Sequence, residues 1–139
     1  LSGADRAAVD RALADADIAH LRERRVDALS GGEAARAHLA RALAAQTPIL
    51  VVDEPTAALD PRHALQATSI LAARAAQGAL VVAAMHDIDL ALRFASRVVL
   101  VERGRITADH PLADFPERAL EAAFGGRAAR DGLRFALEK

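Results

Sequence analysis

Two unbroken apolar runs, Ile49-Leu50-Val51-Val52 and Leu80-Val81-Val82-Ala83-Ala84, limit what this chain can fold into more than any other feature. A strand with one wet face alternates polar and apolar residues; neither run does. Each therefore reads as a strand buried on both faces, as in a parallel sheet covered by helices. Between them lies a punctuated helix. Asp60 supplies an N-cap oxygen, Pro61 takes the first helical position, where its missing N–H costs nothing, and Gly78 suits a left-handed residue just past Gln77. A third run, Val98 to Val101, passes through Glu102-Arg103-Gly104 into Arg105-Ile106-Thr107 and predicts a hairpin. Strand, helix, strand, helix, strand is the order of an α/β architecture with a mainly parallel sheet.

The flanking segments are helical. Ser2 and Asp5 open a helix whose stripe of Val9, Leu13 and alanines reaches about Asp17. Ser30-Gly31-Gly32 interrupts the pattern, and a second helix is expected from about Glu33 to Ala45. Asp87 caps a short helix bearing Leu90, Leu92 and Phe94, and the tail predicts one more around Glu117 to Phe124, broken by Gly125-Gly126.

Composition narrows the class. The 139 residues are 53% hydrophobic and 27% charged, the balance of a globular chain with a real core. A net charge of −1 without a basic stripe argues against nucleic acid as a partner. No apolar run approaches the roughly 20 residues that span a bilayer, and no secretory signal pattern opens the chain. The absence of cysteine fits a reducing compartment.

Two segments carry chemistry. In Leu29-Ser30-Gly31-Gly32-Glu33, a hydroxyl and two glycines at a helix start suit an anion: bare backbone N–H groups approach closely and the helix dipole favours negative charge. An ordinary helix cap has the same residues. In Ile49 to Pro55, Asp53 and Glu54 sit at the C-terminal end of a strand, where ligands bind in open α/β sheets. Neighbouring carboxylates point different ways, so one can serve a hydrated Mg²⁺ while the other faces a water; a solvated acidic turn is the plain alternative.

Taken jointly, these segments resemble the ATP-binding-cassette (ABC) ATPase family. Leu29 to Glu33 is similar to its signature motif, with Glu33 where glutamine is commoner, followed by Arg36 and Leu39 to Leu43. Ile49 to Glu54 resembles Walker B with its following glutamate, Thr56-Ala57-Ala58-Leu59-Asp60 the D-loop, and His86 the switch histidine. The resemblance implies a partial P-loop NTPase fold and ATP with Mg²⁺ as ligands. It implies that Asp53 holds Mg²⁺ through water, Glu54 is the general base, and His86 contacts the γ-phosphate, so that Glu54 and His86 converge on one terminal phosphate. Ser30, Gly31, Gly32 and Glu33 would serve ATP bound to an opposite subunit, and Asp60 would couple the two sites. His20, His38, His63 and His110 form no metal-ligand spacing and read as surface or helix histidines.

The same resemblance exposes what the chain lacks. A phosphate-binding loop needs G-x-x-x-x-G-K-[ST], yet the only lysine is Lys139 and the first glutamine is Gln46. The P-loop and Q-loop are therefore missing, and about half a cassette is expected: residues 1–45 from the helical subdomain with the signature helix, 46–110 from the ATPase core, and 111–139 as a tail. Without the P-loop strand, open sheet edges and rearrangement or self-association are expected. Asp60-Pro61-Arg62-His63, His86 to Ala91 and the Gly104-Arg105-Ile106 turn resemble the subunits that power haem, siderophore or cobalamin import. That implies a homodimer at the cytoplasmic face of the inner membrane, held to transmembrane permease subunits and served indirectly by a periplasmic binding protein. A non-transport ABC ATPase, or a catalytically dead binding module, are the competing readings.

Overall fold

The computed structural model describes residues 2–124, 127–129 and 134–136. It divides into two compact units, Leu1–His86 and Asp87–Lys139.

In the first unit, α1 (Gly3–Asp15) begins at a capping box: the Ser2 hydroxyl accepts from the Asp5 N–H while the Asp5 carboxylate accepts from the Ser2 N–H. Its alanines, Ala8 and Ala12, let it pack closely on α2 (Gly31–Ala44). Then β1 (Ile49–Asp53), α3 (Pro61–Ala76) and β2 (Leu80–Ala84) form the crossover unit predicted above, β1 and β2 pairing in parallel from Ile49↔Leu80 to Asp53↔Ala84. Asp60 caps α3, accepting from the His63 N–H, with Pro61 in its first turn. At the other end Gly78 (φ 95°) closes a Schellman motif, its N–H bonded to the Ala75 carbonyl and that of Ala79 to Arg74.

The core of this unit is Ala12, Ala16, Ile18, Leu39, Ala40, Leu43, Leu50, Ala67 and Leu71. It lies on one side of the strand pair. Leu50 is buried and Val52 and Val81 pack behind it, whereas Ile49 and Val51 are 56% and 70% exposed, and Leu80 and Val82 58% and 48%. Burial of both strand faces is thus not what the fold delivers. Side chains alternate across a strand, and among the described residues helices cover one face only. Composition guaranteed apolar faces; the number of layers decides how many are covered.

In the second unit, Asp87 caps α4 (Ile88–Phe94) by accepting from the Leu90 N–H. β3 (Arg97–Glu102) and β4 (Arg105–Pro111) form the predicted hairpin, turning at Arg103 (φ 48°) and Gly104 (φ 75°). Two positive φ values match the right-handed twist of the strands. A bulge between Leu100 and Val101 shifts the register. α5 (Glu117–Phe124) follows, then β5 (Arg127–Ala129) paired antiparallel with β6 (Arg134–Ala136). Ala108, Phe115 and Leu120 are this unit's buried core. The α/β reading holds, with the parallel arrangement confined to β1 and β2. The break expected at Gly125-Gly126 lies outside the described residues.

Candidate functional site

Every residue predicted to carry chemistry in the first unit sits at an element end. β1 stops at Asp53, and the chain then turns through Glu54 in a left-handed conformation (φ 47°) that an L-residue with a side chain occupies only at a cost of about 1–2 kcal/mol. The Glu54 N–H continues the ladder to the Ala84 carbonyl at 2.9 Å, tying the turn to the end of β2. Two residues past Ala84, the His86 Nδ1 contacts the Glu54 Oε2 directly. Parallel register makes this meeting: Asp53 pairs with Ala84, so the residues following both strands emerge side by side. The two side chains that the sequence places 32 positions apart therefore share one site.

Glu54 and His86 remain reachable, their side chains 39% and 69% exposed. The pair offers a carboxylate that can accept a proton and an imidazole that can donate to an oxygen, poised at the C-terminal edge of a parallel sheet. Asp53 is exposed and makes no hydrogen bond or ion pair among the described residues. No cluster of three or more acidic or histidine ligands occurs there, among the described residues. A lone free carboxylate fits a cation that keeps most of its water and takes its other ligands from phosphates, the habit of Mg²⁺, and does not fit a caged metal.

Ser30 caps α2 in a second capping box: its Oγ accepts from the Glu33 N–H at 3.3 Å, and the Glu33 Oε2 accepts from the Ser30 N–H at 2.7 Å. That Ser30 N–H, then the Ser30 hydroxyl, hold the Glu33 carboxyl below the usual carboxylate range, with Arg24 and Arg36 adding attraction. Glu33 is thus engaged in organising the helix start. Gly31 has open space around it, whereas a Cβ on Gly32 would stand 3.3 Å from the Ala58 carbonyl oxygen. At Gly32 the helix start and the turn before Asp60 approach closely enough that an added side chain would press on the Ala58 carbonyl. A hollow of about 290 Å³ between α1, the end of α2 and α3, bordered by Arg11, Gln46 and Arg74, contains none of these residues.

His63 lies in the first turn of α3, a helix histidine as expected, with its side chain 17% exposed and its Nδ1 2.6 Å from the Asp60 Oδ2. The signal was present in the sequence: a residue three past an N-cap aspartate faces the cap.

Comparison with known proteins places the chain in a family. Residues 3–57 match the family described as ABC transporter. The chain is 49% identical over 100 residues to a hemin import ATP-binding protein HmuV of Nocardia farcinica, covering 72% of this chain and 35% of that protein. It is 42% identical over 127 residues to a cobalamin import ATP-binding protein BtuD of Halobacterium salinarum, covering 90% and 32%. Among solved structures, the post-hydrolysis dimer of the ATP-binding cassette MJ0796 bound to ADP and Pi superposes with a TM-score of 0.67 at 35% identity, over 83% of this chain and 50% of that one. A chain of an inward-facing transporter described as metal-chelate type gives 0.80 over 100% and 60%; at 23% identity it speaks to the fold alone. The chain belongs to the ATP-binding domain family of ABC transporters, with the P-loop NTPase fold in part. Its relatives here are the hemin and cobalamin import ATPases, and it spans between 32% and 53% of their length.

Proposed function

We propose that these residues are the catalytic half-site of an ATPase subunit that powers import of a metal chelate such as haem, a siderophore or cobalamin. The observation that carries the reading is the contact of Glu54 with His86 at the end of the β1–β2 pair, beside the free carboxylate of Asp53. Glu54 is the general base: its carboxylate orients and accepts a proton from the water that attacks the γ-phosphate of ATP. As an imidazolium, His86 holds the Glu54 carboxylate through its Nδ1–H and presents its Nε2–H to a phosphate oxygen. Asp53 would hold Mg²⁺ through water, the ion supplying neutralisation of phosphate charge. Phosphoryl transfer needs mainly positioning and charge stabilisation, which these groups can offer.

The signature residues act elsewhere. Ser30, Gly31 and Gly32 present the N-terminus of α2 outward, and in a homodimer they close on the nucleotide of the opposite subunit, with Glu33 ordering that terminus and Asp60 coupling the two sites. Permease subunits and, indirectly, a periplasmic binding protein complete the assembly at the cytoplasmic face of the membrane. No helix of the described residues is long and apolar enough to cross a membrane. The import of metal chelates rests on the relatives' activities and on the motifs after Asp60 and His86. With no G-x-x-x-x-G-K-[ST] in its sequence, the 139-residue chain alone turns over no ATP.

The test compares the 139-residue chain with a cassette of the relatives' length carrying these residues. The longer protein hydrolyses Mg·ATP; Glu54→Gln lowers its kcat by about 10²–10⁴-fold, the usual weight of a general base, and traps a nucleotide-bound dimer. Steady phosphate release by the short chain, or full turnover in the Glu54→Gln cassette, would sink the proposal.

A further inference from the structure

Asp17 sits at the turn after α1 in a left-handed conformation (φ 54°), and three cationic or titratable side chains from two other helices converge on it. From α2, Arg36 donates to the Asp17 carbonyl at 2.8 Å and brings the same Nη1 within 3.8 Å of its carboxylate; the Arg36 side chain is only 13% exposed. From α3, the His63 Nε2 lies 3.8 Å and the Arg62 guanidinium 3.9 Å from the same Asp17 oxygen. The other face of the His63 ring system is occupied by Asp60, which takes the Nδ1 at 2.6 Å and the His63 backbone N–H at 3.0 Å. His63 is therefore hydrogen-bonded to Asp60 at Nδ1 and faces the Asp17 carboxylate at ion-pair range with Nε2, and Arg36 and Arg62 lie at similar range from the same Asp17 oxygen. These contacts, with the Gly32–Ala58 approach, link the signature helix to the D-loop aspartate through one turn of the chain.

We propose that His63, braced by Asp17 and through it by Arg36, is a positioning residue that fixes the Asp60 carboxylate relative to the signature helix α2. The proposal rests on the reading that Asp60 couples the two nucleotide sites of a dimer. An aspartate at a helix N-cap ordinarily makes one backbone bond and leaves its second oxygen to solvent. Here the second oxygen is taken by the His63 ring, whose far nitrogen lies 3.8 Å from the Asp17 carboxylate. Asp60 and Ser30 then move together rather than as two independent loops.

Two measurements test this. In the 139-residue chain, ¹³C NMR follows the titration of the Asp60 carboxyl, which His63 holds below the usual carboxylate range. His63→Ala raises the midpoint, and Asp17→Ala and His63→Asn, which keeps a donor near the Nδ1 position but cannot reach Asp17, raise it part of the way. A midpoint indifferent to Asp17→Ala overturns the link. In a relative-length cassette, Asp17→Ala, His63→Ala and His63→Asn, whose amide cannot reach Asp17, each lower kcat several-fold with little change in KM for ATP. Intact coupling by NMR with unchanged turnover would instead overturn the reading of Asp60 on which the proposal stands.

Discussion

Leu50 and Val51 are neighbours in one strand, chemically alike, and face opposite fates, which makes them a sharp probe of how many layers this fold has. Leu50 is 6% exposed and packs into the core with Leu39, Leu43 and Leu71; Val51 is 70% exposed. Truncating a buried leucine to alanine costs about 2–5 kcal/mol, the lost transfer energy plus the cavity. Truncating Val51 removes two carbons, worth about 1.6 kcal/mol if wholly buried at ~0.8 per carbon. With under a third of that burial present, roughly 0.5 kcal/mol remains. Urea unfolding of Leu50→Ala and Val51→Ala at low protein concentration, each fitted for midpoint and slope, gives the comparison. Leu50→Ala should lose several times as much as Val51→Ala with the slope unchanged in both. Equal losses in a demonstrably monomeric sample would mean that both strand faces are covered, and would refute the single-layer reasoning.

The same exposed face predicts that the 139-residue chain self-associates with rising concentration, since Ile49, Val51, Leu80 and Val82 form an apolar patch with no cover among the described residues. Analytical ultracentrifugation should show the association, and Val51→Lys should suppress it. Ser30→Ala removes the α2 cap and should cost about 0.5–2 kcal/mol in chemical denaturation. Glu33 has its folded-state pKa depressed, so its stabilising share is present above its unfolded pKa and is lost as pH falls through the folded value. The stability gap between wild type and Glu33→Gln should accordingly close in acid and open near neutrality. Gly78→Ala forces a side chain into the left-handed region and should cost about 1–2 kcal/mol, visible as a lower thermal midpoint.

Much of this molecule was written locally. Ser2, Ser30, Asp60 and Asp87 each cap the helix that their spacing announced, Gly78 takes the positive φ expected of it, and the hairpin turns at Arg103 and Gly104. Such features need only short-range hydrogen bonds and backbone sterics, which a linear pattern records. The motif order from Ser30 to His86 was equally legible, because each motif is a contiguous stretch.

What lay beyond the sequence was everything that needs two distant segments at once. That Glu54 meets His86 follows from the parallel register of β1 and β2. That the far nitrogen of His63 faces a second carboxylate depends on a turn 46 positions earlier bringing Asp17 beside it (63 − 17). That one apolar face of each strand stays open depends on how many helices lie against the sheet, since hydrophobicity drives burial without saying what will do the burying.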